Sequence, residues 1–243
     1  MRALSDLAAT AARPRAMLLA IRAPRELSES ELRDWVRGVR DVGAQYGAHL
    51  CGGDIACAPG AASLCVTAVG EYMGDGRPPG RDRARAGDWI LLTGPVGGSL
   101  AGRHLRFEAR VEAGLLLHHT FNAAALMDVS DGLAWDLFRL SRASQVRARL
   151  RQVPVHSDSL SASLADNEDE LWHALHDGED HELIAVMRPA DAKKALRSRA
   201  RALVGLSLIG EMEKGSGLVL DEELLGKRSE VWRPSRGGWR HGS

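Results

Sequence analysis

Ala124-Ala125-Leu126-Met127-Asp128-Val129-Ser130-Asp131-Gly132-Leu133-Ala134-Trp135-Asp136-Leu137-Phe138 is the stretch on which the fold turns. Residues 124–129 form a short, mostly apolar run that suits a buried strand. A small polar turn follows, and residues 133–144 then bring apolar side chains round at helical spacing. Strand, acidic turn, helix is the unit of an α/β protein. The same alternation extends downstream: a strand over 146–155, a helix over 168–176, a strand over 182–187, a basic helix over 191–203, and strands at 206–211 and 218–220. Upstream, helical spacing covers 111–121, and a strand at 89–93 runs through the glycine-rich turn 94–99 into a helix.

The first third of the chain repeats the theme. An alanine-rich helix over 5–12 is followed by Pro14, which favours a break, and then by a strand at 16–21. Ser28 with Glu31 is a capping-box pair, and Leu32, Trp35, Val36, Val39 and Val42 continue at helical spacing, so a helix spans most of 29–46. Strands follow at 49–55 and 63–72. Residues 73–87 are rich in glycine, proline and arginine and lack apolar periodicity. The expected architecture is an α/β (α+β sandwich) chain with a first domain over 1–74, a linker at 75–87, a second domain over 88–228 and a loose tail at 229–243.

The chain has 243 residues, 44% of them hydrophobic and 26% charged, enough to bury a sizeable core. Lysine plus arginine equals aspartate plus glutamate, 32 each, so no global field favours nucleic acid or an anionic membrane. The longest apolar runs are far too short to cross a bilayer, and residues 1–15 contain no signal-peptide core, so a cytoplasmic protein is expected. Cys51, Cys57 and Cys65 match no paired zinc or redox spacing and are expected as small buried or half-buried residues. The adjacent His118 and His119 point to different sides of a helix, unlike an i, i+4 ligand pair.

Three small acidic turns stand at expected strand ends: Gly52-Gly53-Asp54, Asp128-Val129-Ser130-Asp131-Gly132 and Gly178-Glu179-Asp180. Carboxylates beside glycines suit a place where backbone approaches phosphate and hard oxygens converge on magnesium. Each is equally readable as an ordinary turn or cap, with Asp131 as the cap of the helix from Leu133. The 94–99 turn lacks the Gly-Lys-Ser/Thr ending of a P-loop; its amides face either a phosphate or nothing but a strand-to-helix turn.

Taken in order, the chain contains Leu4-Ser5-Asp6-Leu7-Ala8-Ala9, Gly52-Gly53-Asp54, Gly87-Asp88-Trp89-Ile90 with Thr93-Gly94, Arg103-His104-Leu105-Arg106, Asp128-Val129-Ser130-Asp131-Gly132-Leu133, and Gly178-Glu179-Asp180 with Glu182-Leu183. This series resembles the thiamine-monophosphate kinase family, within the aminoimidazole-ribonucleotide-synthetase-like ATP enzymes, from Leu4 to about Gly210. The resemblance implies two α/β domains, usually in a homodimer, with ATP and several magnesium ions between the domains. It also implies phosphorylation of thiamine monophosphate to thiamine diphosphate. By position, Asp6, Asp54, Asp128 and Asp131 match magnesium-binding aspartates; Tyr46, Arg81 and Ser130 match ATP contacts; and Glu179 matches a substrate-binding glutamate. No covalent nucleophile is expected, because phosphoryl transfer relies on alignment and cations. Tyr46 at a helix end and Arg81 among linker arginines are also readable as a packed ring and a solvated charge.

The sequence departs from the family at several points. The family's Gly-Asp-Asp-Ala turn and Thr-Asp strand end, which precede the Leu4 motif, are not in it, so the resemblance implies an incomplete N-terminal domain. Phe107 stands where the family has proline after Arg106, Asp177-Gly178 replaces a double glycine, and Gly242 replaces a terminal aromatic residue near Gly238-Trp239-Arg240-His241. The competing readings are a relative that binds nucleotide or a protein partner without turnover, and one acting on another acceptor.

Overall fold

The computed structural model describes residues 1–234 as two β-sheets with helices packed on and between them. α1 (Arg2–Ala9) leads into β1 (Ala12–Ala23), then α2 (Glu29–Gln45), β2 (His49–Cys57) and β3 (Ser63–Tyr72). β1 is the middle strand of this sheet, parallel to β2 and antiparallel to β3. Ser28 and Glu31 make the reciprocal cap of α2, each side chain accepting the other's amide, a contribution of about 1 kcal/mol. The apolar stripe Leu32, Trp35, Val36 and Val39 then covers Leu19, Ile21 and Ala23 of β1.

β1 is longer than the 16–21 strand expected, and α1 ends earlier than residue 12. Ala11 turns the chain at φ 50, and Pro14 sits inside the strand. Proline is tolerated there because pairing with β2 begins only at Ala16, and the β3 register shifts between Pro14 and Ala16, so no ladder bond needs its missing N–H.

The second sheet is built from β4 (Trp89–Leu92), β5 (Ala125–Asp128), β6 (Arg147–Leu150), β7 (Leu183–Met187), β8 (Ser207–Glu213), β9 (Gly217–Leu220) and β10 (Glu230–Val231), in the order β10-β9-β6-β8-β4-β7-β5. One face packs on α4 (Leu133–Ala143) and α6 (Glu170–His176) through Leu133, Leu137, Leu140 and Leu175. The other face packs on α3 (Val111–Leu115), which continues as a π-helical turn over Leu116–Thr120, and on α7 (Pro189–Leu196). α5 (Asp158–Asp166) lies beside α6, and α8 (Glu222–Leu225) follows β9. The two sheets are joined by a third core in which Leu4 and Ala8 of α1 and Met17 of β1 meet Val111 and Leu115 of α3 and Leu183 of β7.

Several expectations are corrected. The three cysteines are exposed, because the side chains of β2 and much of β3 face solvent; Cys51 is the extra residue where the β1–β2 register shifts. The 191–203 segment is broken into α7 and a 3-10 turn at Arg201–Leu203. α5 was not anticipated, since its serine-rich sequence lacks an apolar stripe. Part of the segment expected to be a loose tail is ordered: β10 pairs with β9, and Trp232 is buried against Trp135 and Phe138. The motif around Trp239, with Gly242, lies outside the described residues. Among those described, no helix is long and apolar enough to cross a membrane.

Candidate active site

β5 ends at Asp128 and β7 begins at Leu183, and their antiparallel pairing continues past both ends. The Val129 amide donates to the Glu182 carbonyl (2.8 Å), the His181 amide to the Val129 carbonyl (2.8 Å), and the Glu179 amide to the Ser130 carbonyl (2.9 Å). Two acidic turns fifty residues apart in sequence thereby become one surface. Gly178 permits the approach: its φ is +72°, and a Cβ there would lie 2.7 Å from the Ser130 carbonyl oxygen.

Asp128 is buried at this junction. Its Oδ2 accepts from the Ser5 hydroxyl of α1 (2.8 Å) and lies 3.3 Å from His181 Nδ1. Burial pushes its carboxyl up, but the His181 and Ser5 hydrogen bonds and the His181 charge outweigh that and hold it below the usual range. Asp6, one residue beyond Ser5, is pushed the other way, by burial and then by the negative charge of Asp128. Two carboxylates crowded in this way favour a cation between them. His181 also links Asp128 to Glu179, whose carboxylate lies 3.2 Å from Nε2 and 2.7 Å from Arg2. Phe107 stacks on the His181 ring at 4.1 Å.

Asp131 does not cap α4. Its carboxylate pairs with Arg139, and the residue at the cap position is Gly132. The turn is tied down instead by Asp136, fully buried in the first turn of α4, whose Oδ2 accepts the amides of Ser130 (2.9 Å) and Asp131 (3.0 Å). Burial, with added repulsion from Asp131 and Asp128, raises the Asp136 carboxyl to about 7 despite those amides.

In the 94–99 turn the Gly97 and Gly98 amides are already taken. The Gly97 amide donates to Asp180 (2.9 Å) and the Gly98 amide to Asp177 (2.7 Å), while Ser99 donates to the Gly178 carbonyl. Asp180 also receives Arg103 at 2.6 Å, so this member of the third acidic turn braces the loop.

The remaining candidates lie at the margins. Arg81 is close enough to Asp6 for its charge to bear on that carboxyl, and its carbonyl accepts from Ser144. The Tyr46 hydroxyl accepts the Ala109 amide at 3.0 Å. Asp54 is exposed on β2 opposite Ala20, with no side-chain bond among the described residues. Its neighbour Gly53 has a packing reason to be glycine, since a Cβ there would collide with the Leu19 carbonyl. The structure thus brings together Asp6, Asp128, Ser130, Asp131 and Glu179, sets Arg81 nearby, and does not put Tyr46 or Asp54 in contact with them. Among the described residues no group of three or more metal-ligating side chains is already gathered. His181 and Asp136 were missed from sequence; a carboxylate in the first turn of a helix was a readable signal for Asp136, and nothing local marked His181.

A family model described as AIR synthase related protein, N-terminal domain, matches residues 1–72. The thiamine-monophosphate kinase of Rhodopirellula baltica is 36% identical over 191 residues, 78% of this chain and 60% of that relative's length. That of Synechococcus elongatus is 31% identical over 264 residues, 96% of this chain and 76% of the relative. The solved structure of AaThiL complexed with AMPPCP and TMP superposes with a TM-score of 0.75 at 26% identity, covering 98% of this chain and 77% of the other.

Proposed function

The chain belongs to the thiamine-monophosphate kinase family, and from that premise we propose that it transfers the terminal phosphoryl group of ATP to the phosphate of thiamine monophosphate, giving thiamine diphosphate. The observation that carries this reading is the backbone pairing of the 128–132 turn with the 178–181 turn, which sets Asp128, Ser130, Asp131 and Glu179 on one edge beside Asp6.

In the transfer, an oxygen of the acceptor phosphate bonds to the terminal phosphorus of ATP as the bond from that phosphorus to its bridging oxygen breaks. ADP carries away the electron pair. The acceptor phosphate is already largely ionised at neutral pH, so no side chain need remove a proton, and the protein's task is alignment. Ser130 and Arg81 hold the nucleotide, Tyr46 is the third nucleotide contact that the resemblance implies, and Glu179 holds the thiamine-bearing substrate. His181 positions Asp128 and Glu179 relative to one another.

The donor set fits magnesium: Asp128 is held ionised, Asp6 is crowded against it, and both offer hard oxygens. Asp6, Asp128 and Asp131 are the proposed ligands on this edge, and Asp54, apart from them on β2, is the further ligand that the resemblance implies. Bound magnesium offsets negative charge on the transferring phosphates. A cytoplasmic homodimer is part of the proposal, its dimeric half supported by Leu18 and Val69, exposed on the outer face of the first sheet. Incubation with ATP, magnesium and thiamine monophosphate should yield thiamine diphosphate by chromatography. A folded, ATP-binding sample giving no product would overturn the reading, and a monomer in light scattering would remove the homodimer.

A further inference from the structure

A cavity of about 900 Å³ lies away from the aspartate turns, between the end of β3, residues 74–88, the π-helical turn after α3 and the start of α7. None of Asp6, Asp128, Asp131 or Glu179 lines it. The volume is that of a small-molecule site.

Charge and rings both converge on it. Arg85 and Arg188 reach the cavity with no ion pair among the described residues; Arg83 also lines it, donating to the Arg77 carbonyl at 3.2 Å with a loose 4.0 Å contact to Asp82, and its charge bears on His118. Of the other lining aspartates, Asp191 is paired with Lys194 at 3.0 Å, Asp88 keeps its charge while its carboxylate accepts the Arg85 amide at 2.8 Å, and Asp75 completes the set. Two uncommitted guanidinium groups match phosphate oxygens in both charge and fork geometry. Tyr72, His118 and His119, which also line the cavity, form a cluster of flat rings with centroids 5.0–5.7 Å apart, so the two histidines share one side rather than pointing to different sides as expected. The two histidines stand on a π-helical turn, a helix irregularity that recurs at functional sites.

We propose that this cavity is a second binding site, for a small molecule that carries a phosphate or diphosphate on a flat heteroaromatic ring. The inference does not rest on the proposed kinase reaction. The rings stack the aromatic part, and Arg85 and Arg188 take the phosphate. The site has a built-in link to its floor. His118 Nδ1 donates to the Ala123 carbonyl at 2.7 Å, so in the neutral imidazole Nε2 accepts from the Tyr72 hydroxyl at 2.8 Å. Burial, and then the charges of His119 and Arg83, hold His118 below its ordinary range. An anion beside Arg85, Arg83 and Arg188, with Asp191 already paired, offsets that positive field and favours the imidazolium. The Tyr72 hydroxyl then turns to its other acceptor, the Arg77 carbonyl at 3.2 Å, in the segment between the two sheets.

The test is calorimetry and histidine NMR on the full chain with magnesium chelated, using inorganic pyrophosphate, ATP and thiamine diphosphate as separate probes. The expected result is saturable binding of a ring-bearing probe, tighter than pyrophosphate, with the His118 titration moved upward. The exposed double variant Arg85→Gln/Arg188→Gln should keep its thermal unfolding profile and bind at least about tenfold more weakly, while Asp131→Asn binds as the parent does. ATP as the preferred probe assigns the site to a nucleotide, and thiamine diphosphate assigns it to the product of the proposed reaction. No binding without magnesium, unchanged binding in the double variant, or binding lost through Asp131→Asn would overturn the inference. Pyrophosphate binding as tightly as the ring-bearing probes would remove its aromatic half.

Discussion

Replacing Asp136 with asparagine should make the protein more stable at pH 8 while changing it much less at pH 5. The carboxyl is fully buried, and its folded pKa of about 7 stands above the ordinary aspartate value of 3.8. A raised carboxyl pKa means the folded state holds the proton more tightly than the unfolded chain, so stability falls as pH rises from about 4 to 7. At about 1.4 kcal/mol per pH unit, the charge costs on the order of 2 kcal/mol at pH 5 and on the order of 4 at pH 8. Asparagine keeps a carbonyl oxygen for the Ser130 and Asp131 amides without the charge. Its stability relative to the parent should therefore gain about 2 to 3 kcal/mol between the two pH values. Asp136→Ala is the counterpart: two amides lose their acceptor, at about 1–3 kcal/mol each, and the turn is freed. Urea unfolding of parent, Asn and Ala forms at pH 5, 6, 7 and 8 with metal chelated reads this directly. Parallel stability curves for parent and Asp136→Asn would refute the buried-charge argument.

Three further outcomes are expected. Asp131→Asn should weaken magnesium-dependent ATP binding by about tenfold or more by calorimetry, with unfolding shifted by less than about 1 kcal/mol, because its pair with the half-exposed Arg139 contributes little. Gly178→Ala places a side chain at φ +72° against the Ser130 carbonyl, so it should cost about 2 kcal/mol in urea unfolding and raise the KM for thiamine monophosphate by displacing Glu179. Ser5→Ala removes a donor to Asp128, whose stabilisation is present above the ordinary carboxylate range and lost as pH falls through its depressed folded pKa. The variant's Asp128 should titrate at higher pH by NMR and its acid unfolding should begin at higher pH.

The alternation of elements was legible because each strand and helix has its own apolar period. The Ser28–Glu31 cap, α4, β4, β5 and β7 all follow from residues within one turn or strand of each other. The ordered aspartate motifs identified the family for the same reason: they are local words in a fixed order. What failed locally was decided by distant neighbours. Pro14 survives in β1 because β2 pairs only from Ala16, and the cysteines are exposed because of which faces α2 covers.

The sequence by itself determined the α/β pattern, the family and the acidic residues offered to the site. Only the tertiary structure decided their work. Asp180, Asp177 and Asp136 each accept backbone amides and so are braces, whereas Asp6 and Asp128 are crowded together, the pair proposed to hold magnesium. Nothing in the words Gly-Glu-Asp or Ser-Asp-Gly distinguishes these roles. A carboxylate's role depends on which amides, charges and water the fold sets around it, and those come from segments far apart in the chain.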